Sequence, residues 1–264
     1  MDEAQFPSWQ SLTSVEAEEF AELDPVVILP VAGVEQHGPH LPLSTDLEIG
    51  LGLLRNALGR LPADFPVRVL PPQAVGASPE HASFPGTLDL DPECLAAVTE
   101  QLGAAVARSG IRRLVLHNSH GGNRHILRIA ALRLRQEHGL FVVTADYTRF
   151  PRPASVDLPE EEWTHGLHGG AVETAMMMHL RPELVSMDRA PEPHGRDAGG
   201  KPGWIGPEGI APFAWLAEDV EDSGISGDPR LASAAIGEKL VKHHGRILAE
   251  VIREARHFPL ERLR

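Results

Sequence analysis

The sequence predicts an α/β fold with a mostly parallel central sheet and helices on both of its faces. Short apolar runs rich in β-branched residues recur along the chain, and helix-length segments alternate with them. Parallel neighbours cannot be joined by a tight turn, so strand–helix alternation points to crossover connections and a parallel sheet.

Each element has its own justification. Pro25 to Ala32 is short, apolar and β-branched, the pattern of a buried strand. Asp46 to Arg60 reads as a helix whose apolar side is Leu47, Ile49, Leu51, Leu53, Leu54 and Leu58. Val67 to Leu70 is a second strand, stopped by Pro71 and Pro72. Ser78 to Thr87 mixes Pro, Gly and polar residues and is a predicted loop. Asp91, Pro92 and Glu93 open the next helix with an N-cap type, a first-turn proline and an acid. That helix runs to Ser109 and Gly110, where glycine ends it. Arg113 to Leu116 is a strand, Asn123 a candidate cap for a helix starting at Arg124, and Leu140 to Ala145 another strand. Gly169 to Leu180 is a helix whose Met176, Met177 and Met178 suit core packing. Residues 188–230 are rich in Gly, Pro and Asp but carry Trp204, Phe213 and Trp215, which suits a loop covering a site or a subunit contact. Pro229 to about Arg256 closes the chain as an amphipathic helix. No repeat or linker divides the 264 residues, so one domain spanning 1–264 is expected.

A net charge of −13 argues against a nucleic-acid surface, whose footprint would be basic. Cys94 is the only cysteine, so no intrachain disulfide is possible. The acidic start Met1–Gln5 lacks a signal-peptide pattern, and no apolar run approaches the roughly 20 residues that span a bilayer. A soluble, cytoplasmic protein with no membrane partner is expected.

Two polar runs follow apolar strands directly. The first is Glu35-Gln36-His37-Gly38-Pro39-His40 with Thr45-Asp46, and the second is His117-Asn118-Ser119-His120-Gly121-Gly122-Asn123. Ligands of open α/β sheets bind outside the carboxyl ends of the strands, where both runs emerge. Mixed imidazole and carboxylate donors suit zinc, manganese or iron rather than calcium. Glu35, His37, Asp46 and His120 exceed a three-ligand catalytic zinc site, which suggests two ions and a bridging carboxylate. A third run, His165-Gly166-Leu167-His168-Gly169-Gly170 with Glu173, adds a possible ligand or base in Glu173 and a proton donor in His168. His138, His179, His194, His243, His244 and His257 are expected to be structural, and Glu160-Glu161-Glu162 to be a solvated face or helix start. Gly-Gly-Asn could also cradle a phosphate at a helix start, but the spaced glycines of nucleotide-binding loops are absent.

Together these runs resemble the creatininase (creatinine amidohydrolase) family. Glu35 to Leu43 with Thr45-Asp46, Glu80-His81 with Phe84-Pro85-Gly86-Thr87, His120 to Asn123, His168-Gly169-Gly170 with Glu173-Thr174, and Arg181 to Val185 carry the likeness, in order, over about residues 25–250. The resemblance implies a three-layer αβα sandwich, two divalent metal ions per chain (Zn²⁺ or Mn²⁺, with Fe²⁺ a further option), a homo-oligomer that is a hexamer in creatininase itself, and hydrolysis of non-peptide amides. It also implies that Glu35 binds one ion, His37 the other together with His120, that Asp46 bridges them, and that His168 moves a proton. Creatininase has a tyrosine and a metal-binding glutamate where Gly121 and Gly122 stand here, which makes Glu173 the candidate fifth ligand. Its tryptophan that closes over substrate is approximated by Trp163, with Ser78 and His81 as further candidate substrate-binding residues. The expected reaction is attack of a hydroxide held between two ions on a small-molecule amide such as creatinine. The rivals are a formamide, a short modified peptide, and a metal- or ligand-binding module without turnover.

Overall fold

Strand β1 (Val26–Val31) is buried along its whole length, which requires cover on both faces of the sheet. Side chains alternate along a strand, so its two sets go to opposite layers. In the computed structural model, which describes residues 6–166, 168–192, 204–207 and 210–263, Val27, Leu29 and Val31 pack with Leu95 and Val106 of α3 (Pro92–Arg108) and Leu127 and Leu134 of α4 (Arg124–His138). Val26 and Ile28 pack on the other side with Leu54 and Ala57 of α2 (Thr45–Leu58) and Leu248, Ala249 and Ile252 of α8 (Ala234–His257). Each such side chain contributes about 1.5–3 kcal/mol when fully buried. The result is the three-layer αβα sandwich.

The central sheet has the order β2-β1-β3-β4, with β2 at Val67–Val69, β3 at Arg113–Asn118 and β4 at Phe141–Asp146, and all its pairs are parallel. Its register sets Val31 beside Asn118 and Asn118 beside Asp146, so three strands end level. Everything that follows those ends is delivered to one crevice. A third core, with Ile49, Leu53, Met176, Met177, Leu240 and Val241, fixes α6 (Ala171–Leu180) against α2 and α8 beside that crevice.

Some expectations shift. The 169–180 helix starts only after Gly170, and the closing helix starts at Ala234, behind a 3₁₀ turn at Pro229–Leu231. Asn123 does not cap α4 with its side chain. Its Oδ1 accepts from the Ala77 amide, and its Nδ2 donates to the Ala32 carbonyl and Asn118 Oδ1, tying the loops after β1 and β3 together. Sequence periodicity missed α1 (Ser14–Ala21), which Thr13 and Glu16 start with a capping box, whereas the run Glu160-Glu161-Glu162 does open a helix, the short α5 (Glu160–His165). Within 188–230 the described residues form the two-residue parallel pair β5 (Ile205–Gly206) and β6 (Ala211–Pro212), then α7 (Ala217–Val220). Met1–Gln5, His194 and the rest of 193–203 lie outside the described residues. Among those described, no helix is long and apolar enough to cross a membrane.

Candidate metal centre

The carboxyl ends of the strands bring the predicted ligands together. Glu35 and His37 lie on the turn after β1, Asp46 in the first turn of α2, His120 just past β3, and Glu173 in the first turn of α6; all are buried. His37 Nε2 is 3.2 Å from Asp46 Oδ1 and 3.8 Å from Glu173 Oε2. His120 Nδ1 is 3.1 Å from Asp46 Oδ2 and 3.3 Å from Glu35 Oε1. Two groups with ligand atoms within 4.8 Å of one another result: Glu35, Asp46 and His120, and His37, Asp46 and Glu173. Asp46 belongs to both. The geometry corrects one assignment, because it groups His120 with Glu35 rather than with His37. A third group joins Glu35 and His37 to His168.

The far nitrogen of each ligand ring decides what the near one offers. His37 Nδ1 faces the Glu35 carbonyl at 3.1 Å, and His120 Nε2 faces the Ala77 carbonyl at 2.8 Å. A carbonyl only accepts, so both far nitrogens carry hydrogens. In the neutral rings the near nitrogens are lone pairs turned toward carboxylates, a repulsive arrangement unless a cation lies between. Glu35 Oε2, His37 Nε2 and Asp46 Oδ2 accordingly are buried without a well-directed hydrogen bond. Buried polar atoms are rarely left so, and the donor set fits a divalent metal, with the His37 and His120 rings already oriented by backbone carbonyls at their far nitrogens.

Charge tells the same story. Burial pushes the His37 ring down, but Asp46, Glu173 and Glu35 outweigh it and lift it to about 10. His120 likewise rises well above its usual value, against burial, because of Glu35 and Asp46. Burial pushes Glu35 up, and His120, His168 and His81 together pull it well below the carboxylate range. Protons on the rings thus neutralise the carboxylates of the metal-free chain. His168 differs: burial and the neighbouring His37 and His81 hold it well below its ordinary value.

Other predicted residues take different places. His81 is buried on the cavity wall, its ring stacked on that of His168 at 4.1 Å, and Trp163 lines the same wall. Ser78 is not on the wall; it is fully buried behind the centre, its Oγ 3.3 Å from His120 Nε2. Phe213 and Trp215 line the cavity, while Trp204 is 78% exposed and does not.

Four contributors escaped the sequence reading. Gln36 contacts both His81 and His168. Tyr147 donates from its hydroxyl to Glu173 Oε1 at 3.3 Å, while Gly169, at φ +63°, donates its amide to Glu173 Oε2 at 2.7 Å. Glu162, expected on a solvated face or at a helix start, lies in the first turn of α5 but is buried and accepts from the amides of Ala171 and Asp228. His244, expected to be structural, is buried and reaches the cavity lining beside Tyr147. Gln36 and Glu162 lie inside runs that the sequence does mark, but nothing local singles them out there, and Tyr147 and His244 are single residues without a motif around them. Gly122 is required by close approach: a Cβ there would press into the Ala77 carbonyl and lie 2.7 Å from His120 Nε2. A side chain at that position would force the Ala77 carbonyl or the His120 ring to move, and the carboxylate that stands beside Asp46 in the His37 group is that of Glu173.

The centre lies at the floor of a cavity of about 730 Å³. Comparison with known proteins then bears on this geometry. The model of the creatininase family, described as creatinine amidohydrolase, matches residues 10–252. The chain is 33% identical over 228 residues to the mycofactocin precursor peptide peptidase of Mycolicibacterium smegmatis, covering 82% of this chain and 79% of that one. It is 32% identical over 181 residues to the creatinine amidohydrolase of Pseudomonas putida, covering 63% and 68% respectively. A solved manganese form of creatininase superposes with a TM-score of 0.76 at 26% identity, covering 94% of this chain and 98% of that one.

Proposed function

Because the chain belongs to the creatininase family, we propose that it is a metal-dependent hydrolase of an amide bond in a short modified peptide. The observation that carries this reading is Asp46, shared by two buried ligand groups at the floor of a cavity of about 730 Å³. Glu35 and His120 would hold one divalent ion and His37 and Glu173 the other, with Asp46 between them. Zinc or manganese held there would polarise a carbonyl and lower the pKa of water toward about 7.

The chain's own residues do the rest. His168 Nε2 donates to the Gln36 carbonyl at 2.6 Å, so Nδ1 is the atom that handles a proton. It takes one from the attacking water and returns it to the departing nitrogen, which is a poor leaving group until protonated. Tyr147 and the Gly169 amide hold Glu173 in place from both of its oxygens. The size of the cavity supports a peptide-derived substrate over creatinine, the first expectation from the sequence, since a small cyclic amide would fill only a minor part of it. The peptidase activity for which the mycobacterial relative is named supports the same choice.

The test strips the purified protein with chelator and reloads it with Zn²⁺ or Mn²⁺, offering short modified peptides, N-formyl peptides and creatinine in parallel. Peptide hydrolysis that disappears on stripping and returns with metal is expected. Asp46→Ala should lose both ions and turnover, whereas His168→Ala should keep the ions and slow kcat by roughly 10²–10⁴-fold. Faster turnover of creatinine than of any peptide would return the reading to a small cyclic amide. Bound metal with no amide hydrolysis would leave a ligand-binding module.

A further inference from the structure

Two stacked histidines, His81 and His168, face Glu35 from the cavity wall, each with a ring nitrogen 3.5 Å from Glu35 Oε1. Chemically they are equivalent candidates for handling a proton, and what separates them is Gln36. Its side-chain amide has a fixed orientation: Oε1 accepts from the Gly38 amide at 2.9 Å, and Nε2 donates to the Gly224 carbonyl at 2.5 Å. A flipped amide would set donor against donor and acceptor against acceptor. The second Nε2 hydrogen goes to His81 Nδ1 at 2.9 Å, since the alternative, His168 Nε2, lies farther off at 3.3 Å. His168 Nε2 is committed in any case, to the main-chain carbonyl of Gln36 at 2.6 Å.

We propose that Gln36 is a positioning residue that divides the two rings into one donor and one acceptor. An N–H donor can face only a bare Nδ1, so His81 carries its hydrogen on Nε2, the atom turned toward Glu35. His168 donates its Nε2 hydrogen to a carbonyl, so its Nδ1 is bare and turned toward the same oxygen. His81 is therefore barred from accepting a proton at its cavity-facing nitrogen, and His168 is the ring that does. In the cycle, an O–H bond of the attacking water breaks as the proton joins His168 Nδ1. That N–H bond then breaks as the proton joins the departing amide nitrogen, which restores the starting ring. His81 contributes a hydrogen bond from Nε2 throughout and exchanges no proton. The proton route rests on the hydrolase reading; the placement of the ring hydrogens does not.

Ring-¹⁵N-labelled histidine in the full chain, metal-free and zinc-loaded, reads the tautomers directly, with His81→Gln and His168→Gln identifying the two signals. Wild-type protein is expected to show a bare Nδ1 on both rings in the metal-free state. Gln36→Glu replaces the donor at His81 Nδ1 with an acceptor, so the His81 pattern should invert. The His168 pattern should stay, because its partner is the main chain. A Gln36 that only filled space would leave the His81 pattern unchanged. Kinetically, His81→Gln keeps an N–H donor and should raise KM more than it lowers kcat, whereas His168→Gln should lower kcat by at least a hundredfold. A wild-type His81 with its hydrogen on Nδ1 overturns the proposal without any variant, as does a Gln36→Glu protein whose His81 does not change. If the ring signals are as expected and no amide is hydrolysed, the donor–acceptor division stands and the proposed reaction fails.

Discussion

In the metal-free chain a proton on His37 occupies the place a cation would take. Burial lowers the affinity of the ring for that proton, yet Asp46, Glu173 and Glu35 raise it to about 10, against about 6.5 in the unfolded chain. A group raised on folding stabilises fully below its unfolded value and loses that contribution as the pH climbs through its folded one. Metal-free protein should therefore lose stability between about pH 6.5 and 10, and zinc-loaded protein should not show the same slope, because the ion has already displaced the proton. Urea midpoints across that range, with chelator and with zinc, check this; parallel slopes in the two conditions would contradict it. The same competition makes metal affinity fall as the pH falls.

The start of α6 is the element on which the centre depends most. His168 precedes it, Glu173 lies in its first turn, and its opening amide at Ala171 is satisfied by Glu162 Oε1 at 2.6 Å. The other oxygen, Glu162 Oε2, accepts from Asp228 N at 2.8 Å, so one carboxylate fastens α6 to the loop before α8. Replacing Glu162 with Ala strands the half-buried Asp228 amide and the buried Ala171 amide, and a buried donor left without a partner costs about 1–3 kcal/mol. The variant should unfold at lower denaturant, bind metal more weakly and have a lower kcat. Unaltered metal binding in a folded Glu162→Ala protein would show that α6 holds its register without this tie. The run Glu160-Glu161-Glu162, a solvated face or helix start by sequence, does start α5, but nothing along the chain marks which of three identical residues turns inward; α5 exposes the first two and buries the third.

At the scale of the molecule, the parallel sheet gathers four segments at one end and helices on both sides hold them there. Apolar side chains remain outside this arrangement: Ile129 and Leu132 on α4 are 52% and 60% exposed, and Trp204, Ile205 and Ile210 are more exposed still. Exposed apolar groups of this kind often mark contacts between chains. We accordingly propose a homo-oligomer, a hexamer by the resemblance, with a mass that is a multiple of 28.6 kDa in light scattering. A mass of one chain at micromolar concentration would refute it.

The sequence by itself determined the alternating strands and helices, because hydrophobic period and turn chemistry are local properties of a chain. It also determined which residues could bind metal, since Glu35, His37 and Asp46 fall within a dozen positions of one another directly after a buried strand, and His120 follows another. Only the tertiary structure decided how those residues divide. His120 belongs with Glu35, Ser78 stands behind the centre, Asn123 ties two loops, and Gln36 sorts the protons of two rings 45 and 132 residues away. These are choices of a few tenths of a nanometre between groups far apart in the chain. Register and helix packing set such distances, and neither is written in the pattern around any one residue.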